Sequence, residues 1–242
     1  MKEILKYSNL VFLYALSHSY LATCFAIDLK IQGYEERYIG LSLSLWGIGV
    51  IFGALFHNLV RKKLNLFSTI LLGSTIQLFF SLIFLFDQNT YLVALMQFMM
   101  GITSAINSLT LESYISSKFR KSSGFYISLF WSSAGLGAIT GSLIIAINGI
   151  NEFTYYIAVV FFFLHFFPIY LFRTAIIQVK IENISLRLSK DALNKIKYLL
   201  VCVVLFGACD AGFSSLFPSY LLEESFSDKQ IGRINFLAGL IA

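Results

Sequence analysis

Long apolar runs separated by short polar breaks set the pattern of this chain. The runs fall at residues 9–29, 40–63, 66–86, 91–115, 124–147, 153–172 and 198–222, and another begins near residue 230. Each complete run is about 20 residues or longer, enough for a helix to cross a hydrocarbon core of about 30 Å. Backbone groups find no water to pair with in lipid, so helices are predicted throughout. The predicted fold is an all-α integral membrane protein with six transmembrane helices, a seventh and a partial eighth. It divides into an N-terminal six-helix domain over residues 1–172, a polar linker over 173–197, and the start of a second domain over 198–242.

The second run, GLSLSLWGIGVIFGALFHNLVRKK, carries two further signals. Gly49 and Gly53 lie four apart and share one helix face, where missing side chains let a neighbouring helix approach closely. Arg61, Lys62 and Lys63 then close the span with positive charge. Of the 18 lysines and arginines, all but Lys30, Arg37, Lys229 and Arg233 fall at the same alternate ends of the runs. Asp28, Glu35, Glu36, Asp87, Glu152, Glu223, Glu224 and Asp228 fall at the opposite ends. Cation-rich ends mark the cytoplasm, which predicts a cytoplasmic N-terminus and linker in a plasma (inner) membrane.

The chain also repeats itself. A shift of 192 residues lays LFGACDAGFSSLFPSYLLEESFSDKQIG, from Leu205, over LYALSHSYLATCFAIDLKIQGYEERYIG, from Leu13, without a gap. Ile231-Gly232 then falls on Ile39-Gly40, Phe226 on Tyr34 and Gly239 on Gly47. The seventh helix thus restarts what the first began, as in transporters built from repeated helical halves.

Composition agrees with lipid as the solvent: 57% of residues are hydrophobic, 13% are charged, and mean hydropathy is +0.77. Soluble domains carry about 25% charged residues. The net charge of +5 does not point to nucleic acid, because its cations punctuate the apolar runs instead of clustering on a soluble domain. Cys24, Cys202 and Cys209 all lie inside runs, and no disulfide framework, metal-ligand spacing or cofactor motif is visible. The first apolar run is too long for a cleavable signal and lacks a small-residue cleavage site.

At the end of the second run, GALFHNLVRK from Gly53 resembles the G-x-L-A-D-R-x-G-R-K signature of the major facilitator superfamily. Gly53, Leu55, Arg61 and Lys62 match. His57, Asn58 and Val60 stand where the family has aspartate, arginine and glycine. In the fifth run, GLGAITGSLI from Gly135 is similar to the family's G-x-x-x-G-P stretch, with Gly137 and Gly141 kept and Ser142 in place of proline. The resemblance implies two six-helix halves around a central cavity, a small-molecule substrate, and Gly53, Arg61 and Lys62 at an inner gate. It names no substrate.

Ionisable groups inside spans are the main functional clues, because a fixed charge in lipid is costly. His18 sits midway along the first run and Asp210 midway along the seventh, and the 192-residue shift superposes them. Both can exchange protons, which makes them candidates for proton coupling. The alternatives are a histidine satisfied by a hydroxyl and an aspartate capping a loose turn. Glu112 ends a polar stripe on the fourth helix, with Gln97, Gly101, Ser104 and Ser108. It is either a third coupling candidate or a partner for Arg61, Lys118 or Arg120, and pairing with Arg61 is expected. Tyr14, Ser17, Cys24 and Asp28 form a similar stripe on the first helix, with Asp28 expected to be solvated. Trp46, Trp131, Tyr155 and Tyr156 are candidates for substrate contact, with interfacial anchoring or lipid-facing packing the commoner role of such rings.

The function that fits is a secondary transporter working by alternating access, coupled to protons, with the lipid bilayer as its surroundings. No G-x-S-x-G, H-E-x-x-H or phosphate-cradling glycine loop supports a membrane enzyme. The sequence stops inside its eighth span at Ala242, so most of a second half is expected to be missing. The chain is then a fragment, part of an assembly that supplies that half, or a non-transporting remnant.

Overall fold

The computed structural model describes residues 2–86, 89–171 and 216–241. The 173–197 linker, Asp210, Cys202, Cys209 and most of the seventh run lie outside them. The described elements are helical: α1 (Lys2–Ile31), α2 (Glu36–Lys63), α3 (Leu66–Ile83), α4 (Thr90–Lys118), a 3₁₀ turn (Arg120–Ser122), α5 (Ser123–Asn148) and α6 (Thr154–Leu171). Residues 216–223 form a helix, α7, and Asp228–Ile241 form α8. Helices α1 to α5 are each long and apolar enough to cross a membrane, and α6 contains a shorter apolar stretch, Thr154–Ile169.

Local sequence explains the ends. Asn65 and Asn89 cap α3 and α4, their side-chain oxygens accepting from Ser68 N at 2.8 Å and Leu92 N at 2.9 Å. Helix α5 ends at Gly149, whose φ of 69° suits glycine. Ile51, Leu55 and Leu59 are more than half exposed on α2, an apolar face that belongs in lipid.

Helix α2 packs along α4, α1 along α5, and α3 between α4 and α6. Glycines set the closest approaches. A Cβ on Gly49 would overlap Phe98 O, one on Gly53 would overlap Ile102 O, and one on Gly101 would overlap Trp46 O. On the other side, a Cβ on Gly137 would overlap Phe12 O, and one on Gly141 would stand 2.9 Å from Leu16 O. The paired glycines read from sequence are therefore the contact faces of α2 on α4 and of α5 on α1.

The repeat holds residue for residue. Helix α1 ends at Ile31 and α2 starts at Glu36; 192 residues later, α7 ends at residue 223 and α8 starts at Asp228. In the first turn Gly33 N donates to Lys30 O at 3.0 Å and Tyr34 N to Leu29 O at 3.1 Å. In the second, Ser225 N donates to Leu222 O and Phe226 N to Leu221 O, both at 3.0 Å. Both are helix-ending turns of Schellman type, which need a left-handed residue. Gly33 supplies it with φ 85°, and Ser225 adopts it with φ 66°.

This acid-rich end is also where α7 and α8 pack against the earlier helices. Lys30 pairs with Glu36 and, at 3.7 Å, with Glu223. Ser219 Oγ donates to Ala26 O at 3.1 Å, and Asp228 accepts from Ile150 N in the α5–α6 turn. Ile27, Leu221 and Ile231 form a small apolar cluster beneath. Gly232 lets α8 approach the backbone of α5 at Ala146.

Candidate functional site

Helix periodicity places Tyr14 and His18 on one face of α1, and Ser104 and Ser108 on one face of α4. Packing turns both faces toward a shared cavity of about 460 Å³. Trp46 from α2, Gln77 from α3, Asn107 from α4, Trp131 from α5 and His165 from α6 complete its polar and aromatic lining. Leu10, Val11, Val50, Ile70, Leu111 and Phe130 supply apolar wall. The lining includes residues near the start of α1 and near its middle but none of α8, so the cavity lies toward the cation-rich end, away from the docked turns.

The rings form a chain. Tyr14 stacks on His18 with centroids 5.9 Å apart, His18 tilts against Trp46 at 5.0 Å, and Tyr14 meets His165 at 5.7 Å. The two histidines differ in what they bond. His165 Nδ1 donates to Leu10 O at 3.0 Å, and its Nε2 lies 3.1 Å from Ser74 Oγ. Because a carbonyl only accepts, the Nδ1 proton is fixed and the neutral ring accepts from Ser74. His165 thus ties α6 to α1 and α3. His18 lies beside Gln97, but its Nε2 is buried with no partner.

Four more lining atoms are buried without a hydrogen bond: Tyr14 Oη, Trp46 Nε1, Gln77 Oε1 and Asn107 Oδ1. Ser104 and Trp46 are the polar neighbours of the Tyr14 hydroxyl, although neither closes a bond to it. Gln77 Nε2 donates to Thr103 Oγ1 at 3.0 Å, which leaves its carbonyl open. An unmade buried hydrogen bond costs about 1–3 kcal/mol, so these atoms favour a polar partner, whether water or solute.

Glu112 does not pair with Arg61. It lies beside the Trp131 indole on α5, while Arg61 Nη1 is buried without a partner. The expected ion pair fails because α4 turns Glu112 toward α5. His57, at the family's aspartate position, bonds Thr110 of α4 through Nε2 at 3.2 Å. Arg61→Gln and Glu112→Gln should therefore have additive effects on thermal stability, since residues that share no contact rarely couple. A coupling energy above about 0.5 kcal/mol in that double-mutant cycle would show that the two interact.

Other expectations change as well. Asp28 is not simply solvated: it accepts from Tyr155 Oη at 2.6 Å and Gln32 Nε2 at 3.0 Å. Ser17 turns back to Leu13 O, and Cys24 lies in the apolar core. Trp46 and Trp131 line the cavity instead of acting only as membrane anchors. His165, Gln77 and Asn107 were missed by sequence reasoning. The signal for His165 was present, since an ionisable residue inside an apolar span is a functional candidate by default. Among the described residues no cluster of histidine, cysteine or acidic groups could hold a metal.

Residues 8–242 match the Major Facilitator Superfamily. The chain belongs to that superfamily. Its fold is similar to the crystal structure of the nucleoside transporter NupG, with TM-score 0.65, 14% identity, and coverage of 85% of this chain and 53% of that one. It is also similar to a bacterial homologue of the human drug peptide transporters PepT1 and PepT2, with TM-score 0.63, 12% identity, and coverage of 96% and 52%. The chain thus spans about half the length of these solved transporters. No curated protein matches it in sequence.

Proposed function

We propose that this chain forms the first half, and the beginning of the second, of a secondary transporter that moves a small solute by alternating access and is coupled to protons. The observation that carries this reading is the cavity of about 460 Å³, lined by residues of α1, α2, α3 and α4 that carry buried, unpartnered polar atoms. Its volume lies within the ordinary range of small-molecule sites, about 300–1,000 Å³. In this scheme the N-terminus is cytoplasmic and the stitched acid-rich end faces outward, so the arrangement is an inward-facing state. Lys30, Glu223, Asp228 and Ile150 form the closed outer side, and the second half supplies the opposite wall, either in the same chain or in an assembly.

Ser104 tests alternating access without knowledge of the solute, because it lines the cavity midway along α4. In the full-length protein, Ser104→Cys should react with a membrane-impermeant thiol reagent added from either face of the membrane. Reaction from one face only, unchanged when Lys30→Gln removes the ion pairs at the other end, would sink the reading.

A further inference from the structure

The cavity also carries information about what it holds, and this inference rests on the transport reading. Among the described residues, none that lines the cavity is aspartate, glutamate, lysine or arginine. A wall without fixed charge gives no partner to a carboxylate, phosphate or ammonium, and burying such a group unpaired is expensive. What the wall does offer is ring faces and open hydrogen-bonding atoms of both kinds. Trp46 Nε1 is a donor only, Gln77 Oε1 and Asn107 Oδ1 are acceptors only, and Tyr14 Oη can serve either way. Rings of Tyr14, His18 and Trp46 run side by side along the same wall.

We infer that the part of the solute lying against this wall is an uncharged planar ring with an amide-like edge, offering both an N–H and a C=O. Such a ring lies against the aromatic faces. Its carbonyl accepts from the Trp46 indole, and its N–H donates to the carbonyl oxygen of Gln77 or Asn107. Each contact removes a buried group's unmade bond, so the site selects for both halves of the edge. A saturated polyol lacks the stacking face, and an aromatic acid brings a charge the wall cannot pair.

Equilibrium binding to the purified full-length protein in nanodiscs tests this, with radiolabelled uracil as the probe and hypoxanthine, nicotinamide, benzoate and glucose as competitors. Uracil should saturate, and hypoxanthine and nicotinamide should displace it, whereas benzoate and glucose should do so at least about tenfold more weakly, a difference of one lost hydrogen bond or more. Trp46→Phe keeps a ring and removes only the N–H; it should weaken uracil binding by about tenfold. Gln77→Leu should weaken it similarly while Trp131→Phe, on α5, changes it less. The inference is overturned if none of the three ring amides saturates the site, if benzoate or glucose competes as well as they do, or if Trp46→Phe and Gln77→Leu both leave binding unchanged. Binding is read without transport, so the two readings can fail separately. Uracil binding with Ser104→Cys reacting from one face only would spare this inference and remove the transporter. Reaction from both faces without ring-amide binding would do the reverse.

Discussion

Gly101→Leu should leave almost no folded protein. A Cβ at this position would overlap Trp46 O and stand 2.9 Å from Val50 N, both backbone atoms of α2 that cannot rotate away. The α2–α4 contact is also closed by Gly49 and Gly53 against Phe98 O and Ile102 O, so neither helix can slide to make room. Apolar burial does not drive helix association in lipid, which leaves close packing to hold the pair. Overpacking typically costs about 1–3 kcal/mol, and more where backbone must move, against a total stability of about 5–15 kcal/mol. Gly124→Leu is the control, because no heavy atom lies within 4 Å of its Cβ position. Size-exclusion profiles and thermal unfolding of the two variants in detergent decide the matter. Recovery of Gly101→Leu as monodisperse protein with the melting temperature of Gly124→Leu would mean that this interface is not needed.

The second large effect concerns protons. Asp210→Asn, in the full-length protein, should abolish solute accumulation driven by a pH gradient and leave counterflow exchange measurable. His18 lines the cavity, with its Nε2 buried and without a hydrogen-bond partner. Asp210 is its counterpart under the 192-residue shift, a register that the matching turns at Gly33 and Ser225 obey. A fixed charge at mid-membrane is costly and a titrating one is tolerable, so loading a proton on the aspartate favours reorientation. His18→Gln should shift the pH optimum of transport without eliminating it. His165 is not expected to substitute for His18, because both its nitrogens are already engaged by Leu10 O and Ser74. Undiminished concentration of solute by Asp210→Asn would move the coupling site elsewhere, with Glu112 next in line.

Much of the scaffold was legible because it depends on local features. Run length and missing charge predict helices in lipid, and the described residues contain no strand. Glycines spaced four apart predicted close helix approaches, and Gly49, Gly53, Gly137 and Gly141 each meet neighbouring backbone. The repeat register was readable from identities alone, and the turn at residues 32–35 recurs 192 residues later with the same backbone bonds.

The site was harder to read. Periodicity put Ser104 and Ser108 on one face of α4, but on α1 it grouped Tyr14 with Ser17, Cys24 and Asp28 and left His18 out of the stripe. It could not say toward which neighbour each face turns, since the rotation of a helix about its axis is set by packing against all its neighbours at once. That rotation moved Glu112 from the expected Arg61 to Trp131 and gave Asp28 the hydroxyl of Tyr155, 127 residues away. It also brought His165 of α6 against Leu10 of α1 and Ser74 of α3. By itself, then, the sequence determined the membrane class, the helix spans, the glycine faces and the repeat, each carried by residues within a few turns or by one fixed shift. Only the tertiary structure decided which polar side chains share a cavity and which of their atoms stay unpaired, because those depend on contacts between residues that no local spacing relates.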